Sequence, residues 1–174
     1  MKKLYIILTI LVLLLTSCSI GESNMNFYFG DNISIADKTF EKVVTAIETN
    51  DAKLLESYFS ANVQAQVPEL HTQATDFLNF IDGEVVSYTS SRETGVGASM
   101  RNQHGQKCKE LLATFTLKTN SQTYHIEIKE VIIDHFDRKN MGIQSMYIIN
   151  ANDWELDYVF GSGGECNPGI NMIK

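Results

Sequence analysis

Glu110 to Ile128 read ELLATFTLKTNSQTYHIEI, two alternating runs on either side of a polar break. In the first run Leu111, Ala113, Phe115 and Leu117 fall on one face, and Thr114, Thr116 and Lys118 fall on the other. Successive side chains of a strand point to opposite faces, so a period of two predicts a strand with one buried side. Thr119-Asn120-Ser121 is a turn signal. The second run sets Tyr124, Ile126 and Ile128 against His125, Glu127 and Lys129, which predicts a second antiparallel strand. Val131, Ile132 and Ile133 then break the alternation and predict a bulge or burial on both faces.

Outward from this pair the pattern stays strand-like on the C-terminal side. Asp137 to Asn140 is polar and turn-like, Ile143 to Ile149 predicts another strand, and Asn150 to Glu155 is polar and holds Trp154. The tail from Gly161-Ser162-Gly163-Gly164 onward reads as a flexible or capping loop. On the N-terminal side, Glu84 to Tyr88 predicts a strand, and the Gly-rich stretch Arg92 to Gly105 a further strand or a mobile hairpin.

Before Gly83 the period is helical. Phe40, Val43, Val44 and Ile47 make one apolar stripe, which predicts an amphipathic helix over Ile33 to Asn50, with Ser34 and Asp37 as a weak capping box. Asn50 can cap a second helix from Asp51 to about Phe59. Pro68 suits the first turn of a third, running to about Ile81 and burying Leu70, Ala74, Phe77, Leu78 and Ile81.

Helices followed by antiparallel strands make an α+β plan, the helices laying their stripes on one face of a curved sheet. The order looks like the cystatin-like, nuclear transport factor 2-like cone. Ala36–Ser60, ADKTFEKVVTAIETNDAKLLESYFS, resembles the opening of a family of uncharacterised bacterial lipoproteins that carry a domain of unknown function. The resemblance rests on Ala36-Asp37, Ala46-Ile47, Asp51 and Tyr58-Phe59-Ser60, and Pro168-Gly169-Ile170 resembles that family's C-terminal element. It implies a fold and a cell-envelope location, and it carries no catalytic residues to transfer.

The first residues read as an address. Lys2 and Lys3 precede an apolar run, Leu4 to Leu15, broken only by Thr9. Twelve helical residues span about 18 Å, well short of a ~30 Å hydrocarbon core, so the run fits a signal-peptide core better than a membrane span. Leu15-Thr16-Ser17-Cys18 resembles a bacterial lipobox, which implies cleavage before Cys18 and a diacylglyceryl thioether on its sulfur. The expected organisation is a leader at 1–17, a lipidated tether at 18–32 and one α+β domain at 33–174. Phe27, Tyr28 and Phe29 in the tether either dock on the domain or form an interaction patch. Removal of Lys2 and Lys3 with the leader makes the formal charge more negative than the −7 of the whole chain.

That acidity argues against nucleic acid as a partner, because phosphates demand a basic surface. Cys108 and Cys166 remain after Cys18 is lipidated and can form a disulfide outside the cytoplasm. His71, His104, His125 and His135 are scattered without zinc spacing, so no metal or cofactor is expected. Asp134-His135-Phe136-Asp137 reads as a turn before it reads as acid–base machinery. Gly95-Val96-Gly97 and Gly161-Ser162-Gly163 lack the flanking elements of a phosphate loop or nucleophile elbow. Tyr88, Tyr124, Tyr147, His125 and Asp134 are candidates for chemistry in a cone, but no spacing selects among them. The expected function is a non-enzymatic module binding a small apolar ligand on the outer side of the membrane. The alternatives are an envelope protein-interaction module and, behind it, an enzyme.

Overall fold

The alternating runs form the central hairpin of a six-stranded sheet. The computed structural model describes residues 30–153 and 167–173. Four helices come first: α1 (Asn32–Glu48), α2 (Ala52–Ser57), α3 (Ala61–Gln66) and α4 (Leu70–Phe80). Then follow β1 (Val85–Tyr88), the short α5 (Ser91–Thr94), β2 (Val96–Gln103), β3 (Gln106–Thr119), β4 (Thr123–Asp134), β5 (Gly142–Asn150) and β6 (Gly169–Ile173). The main path through the sheet is β1-β3-β4-β5-β6, and β2 pairs with β3 beside β1.

The β3–β4 register sets Ala113 against Ile128, Phe115 against Ile126 and Leu117 against Tyr124. These side chains meet the helices, whose Phe40, Val43, Leu55, Leu70 and Phe77 are fully or almost fully buried in the same core. Phe40 of α1 stacks on Phe115 at 4.1 Å between ring centroids. Thr39 Oγ1, also on α1, donates to the buried Glu130 of β4 at 2.9 Å. The register shifts between Lys109 and Glu110, where Ile132 has no opposite number, and this is the bulge that the Val131–Ile133 run announces.

The sheet departs from the expected all-antiparallel one. The tail does not end as a loop: Gly169–Ile173 pairs parallel with Ser145–Ile149 and makes the sheet mixed. Gln73 of α4 fixes it there by accepting a hydrogen bond from Ile170 N at 3.0 Å. A five-residue strand without a flanking turn signal gives little period to read. The Gly-rich stretch becomes α5 and then β2, closed on β3 by His104-Gly105, both at positive φ as a two-residue hairpin turn requires.

Helix starts also differ. Asp51, not Asn50, caps α2 by accepting from Leu54 N, and Asn50 takes a positive φ between the helices. α1 begins at Asn32, which places Asp37 inside it and frees that carboxylate for Ser90 and Ser91. α3 is an element the sequence reading lacks. It is one short turn capped by Ser60, too brief to show a period. Pro68 precedes α4 rather than opening it. Gly142 has φ 121° and a Cβ there would stand 3.0 Å from Ser60 N, so the chain can pass only as glycine.

The turn joining β3 to β4 is held by one hydroxyl. Thr119 Oγ1 is buried, donates to Asp82 O at 2.7 Å and accepts from Gln122 N at 2.9 Å and Ser121 N at 3.2 Å. Thr119→Val leaves those backbone groups without a partner, which costs about 2 kcal/mol. Urea denaturation should show that loss, against almost none for the exposed neighbour Lys118→Ala; equal stability of the two variants would refute the role.

Candidate functional site

Two places on the domain gather chemistry-bearing side chains. The first is a cleft of about 320 Å³ on the helix side of the sheet. Phe40 and Phe115 form its floor, and Tyr88 of β1 stands edge-on to Phe40 with centroids 5.5 Å apart. Asp37, Glu41 and Glu93 line its rim. Asp37 Oδ2 accepts from Ser90 Oγ at 2.6 Å and Asp37 Oδ1 from Ser91 N at 2.8 Å. Against the opposing effect of partial burial, these bonds and the nearby Arg92 charge hold its carboxyl below the usual carboxylate range. Asp37 is therefore a fixed anion that joins α1 to the start of α5, and a weak base.

The second place is the opposite face of the sheet. By register, Glu127 lies between Thr114 of β3 and Tyr147 of β5, and Ser145 faces Lys129 one step along. Glu127 and Ser145 are thus diagonal neighbours. Both are buried, and among the described residues Glu127 Oε1 and Ser145 Oγ have no hydrogen-bond partner. Lys129 does not serve Glu127, since its Nζ pairs with Glu110 at 3.2 Å. Burial pushes the Glu127 carboxyl up to about 7. His125, beside it, contacts Thr116 Oγ1 at 3.2 Å, and burial lowers its pKa. Tyr147 and Ile149 pack with Ile173 on this face.

The structure separates the candidates that the sequence offers. Tyr88 belongs to the cleft. Tyr124 lies in the helix-side core, its hydroxyl donating to Phe80 O and accepting from Asp82 N. His125 and Tyr147 share the far face with Glu127. Asp134 sits at the far end of β4, accepting from Phe136 N, Asp137 N and Asn140 Nδ2, so its carboxylate shapes a turn. Among the described residues no group of His, Cys, Asp and Glu is placed to hold a metal. Cys108 is half-buried in β3 opposite Asp134, and burial, then that charge, raises its thiol pKa. Cys18, Cys166, the Phe27–Phe29 aromatics and Trp154 lie outside the described residues.

Comparison with known families matches residues 42–151 to a domain of unknown function, DUF5104. The chain belongs to the DUF5104 family. The matched stretch starts in α1 and ends just past β5, so in this DUF5104 member the central hairpin, Glu127 and the Tyr88–Glu93 side of the cleft fall inside it, while Asp37, Phe40 and Glu41 precede it. No curated protein matches the chain. Among the described residues, no helix is long and apolar enough to cross a membrane.

Sequence reading missed Glu127 because it occupies an ordinary outward position in β4. A signal existed on the next strand: Ser145, Met146, Tyr147, Ile148 and Ile149 are all buried, and such a run means a strand covered on both faces. The pH dependence follows. Folding raises the Glu127 pKa from about 4.5 to about 7, so the native state holds the proton more tightly. That stabilisation is complete below pH 4.5 and is lost as pH rises through about 7. Glu127→Gln should therefore gain on the parent at pH 8, by on the order of 3 kcal/mol, and lose that advantage at pH 4. Urea titrations at both pH values check this, and a variant no more stable than the parent at pH 8 refutes it.

Proposed function

We propose that this DUF5104 protein is a lipid-anchored component of the bacterial cell envelope whose domain binds a small molecule without transforming it. Support for the anchor comes from Lys2, Lys3, the Leu4–Leu15 run and Leu15-Thr16-Ser17-Cys18. Two acyl chains on Cys18 suffice for stable tethering, and they place the acidic domain outside the cytoplasmic membrane. The helices gathered on one sheet face favour a cystatin-like, nuclear transport factor 2-like cone. A Cys108–Cys166 disulfide would tie β3 to the chain just before β6.

The observation that carries the binding reading is the aromatic cleft with its carboxylate rim. A ligand can lay an apolar part against the exposed Tyr88 ring, which the buried Phe40–Phe115 stack backs. Glu41 and Glu93 favour a positive group at its other end, and a cation beside an aromatic face gains further attraction. The ligand is thus a small amine with an apolar body rather than a wholly apolar molecule. A binding role without catalysis fits the charges: Asp37 is held ionised, and the carboxyl with a near-neutral pKa, Glu127, stands on the other face of the sheet.

Benzylamine and benzoate share a ring and differ in charge, so they probe the cleft directly. Benzylamine should raise the melting temperature of the full chain saturably, benzoate should not, and Tyr88→Ala or the pair Glu41→Gln and Glu93→Gln should weaken benzylamine at least tenfold. Equal shifts with both compounds, or none with either, would contradict the reading. Cys18→Ala should abolish lipid labelling and release the protein from membranes; a variant that stays membrane-bound would contradict the anchor.

A further inference from the structure

We propose that a small pocket at the end of β4 binds a phosphate monoester carried on an apolar body, with Arg138 and His135 taking the phosphoryl oxygens and Ile132, Ile133 and Met141 taking the body. The pocket holds about 260 Å³ and shares no lining residue with the aromatic cleft. It exists because β4 outruns its neighbour. β5 pairs with β4 only as far as Val131. Just beyond, Ile132 is the extra residue of the bulge against β3. A bulge re-aims side chains that strict alternation would send to opposite faces, and the successive Ile132 and Ile133 both line the pocket. Met141, 46% exposed, adds to the apolar side.

The polar side stands on a braced turn. Asp134 Oδ1 accepts from Phe136 N at 2.8 Å and from Asp137 N at 3.0 Å, and its Oδ2 accepts from Asn140 Nδ2 at 3.0 Å. Asn62 of α3 ties the same turn to the helices, donating to Asp137 Oδ2 at 2.8 Å and to Asn140 Oδ1 at 2.6 Å. Arg138 opens the short 3-10 helix Arg138–Asn140 on this frame, so its position is set before any ligand arrives. His135 Nδ1 accepts from Lys107 N at 3.4 Å. That bond puts the imidazole proton on Nε2, and Nε2–H is the donor the ring can offer a ligand.

The free charge in the pocket decides the sign of the ligand. Both oxygens of Asp134 are taken, and the Arg101 charge stabilises its ionised form. Among the described residues, no hydrogen bond or ion pair takes the Arg138 guanidinium. The same end of the sheet carries Arg101, Lys107 and Lys139, a local field that draws anions to an otherwise acidic chain. A guanidinium presents a planar fork of N–H groups, and His135 adds a further donor. This set suits a phosphoryl group, which near pH 7 spreads close to two negative charges over three acceptor oxygens. A carboxylate has two oxygens, which the fork alone can satisfy. Inorganic phosphate would leave Ile132, Ile133 and Met141 uncovered, so the ligand is an ester with an apolar body.

Calorimetric titration of the full chain in non-ionic detergent, with phenyl phosphate, benzoate and inorganic phosphate, tests this. Phenyl phosphate should bind saturably and at least tenfold more tightly than either other anion, and saturating benzylamine should not displace it. Arg138→Gln should weaken it by about tenfold or more, the loss of one charge-assisted pair. Lys139→Gln removes the same charge one residue along and outside the pocket. It should change binding less than about twofold in 0.15 M NaCl, which screens exposed charges beyond ~8 Å. Both variants should keep the circular dichroism spectrum of the parent. The proposal is overturned if phenyl phosphate does not bind saturably, if benzoate or inorganic phosphate binds as tightly, or if benzylamine displaces it. It is overturned equally if Arg138→Gln binds like the parent, or if Lys139→Gln weakens binding as much as Arg138→Gln, since that would mean a diffuse field and no site.

Discussion

Ala113 with Ile128, Phe115 with Ile126 and Leu117 with Tyr124 stand opposite one another across β3 and β4. The register of that ladder is the constraint on which the remaining structure depends. A slip of one residue would turn every side chain of the hairpin to the other face. The helices would then meet Thr114, Thr116 and Glu127 in place of Phe115 and Ile126. The bulge at Ile132 and the Thr119 hydroxyl at the turn pin the register from its two ends.

Once the register is set, the two faces acquire different chemistry. The helix side is filled by Phe40, Phe77, Phe115, Tyr124 and Met146, leaving a cleft at its margin where Tyr88 and the acidic rim meet. The space between helices and sheet is thus packed among the described residues, and the cleft lies at its polar-rimmed margin. The other face buries Glu127 and Ser145 with no partner for Glu127 Oε1 or Ser145 Oγ among the described residues, which trades stability above neutral pH for a protonated carboxyl in the sheet. The two sites lie on opposite faces of the sheet and meet at β3, which gives Phe115 to the cleft and Thr114 to the Glu127 side.

Much of this was legible in the sequence, for physical reasons that vary with the element. The period of two in Leu111–Leu117 and Tyr124–Ile128 and the stripe Phe40–Val43–Val44 are long enough to override local ambiguity, and they define the α+β plan. α3 and β6 are too short to show a period. β6 is held by partners distant in the chain, Ser145–Ile149 and Gln73, which no local pattern encodes. Asp37 looked like part of a cap because spacing cannot reveal that Ser90 and Ser91 lie beside it in space. Glu127 looked solvated because an alternating strand reports which residues share a face, and not whether that face is covered.

The central claim is that the β3–β4 ladder organises the domain, and native-state hydrogen exchange tests it most directly. β4 is paired on both sides from Tyr124 to Val131, to β3 and to β5. Its amides should exchange only through global unfolding, with an exchange free energy equal to that from denaturant titration, while α1 and α2 open at lower cost. If the β4 amides exchange through local opening while α1 remains protected, the hairpin is not the element on which the fold rests.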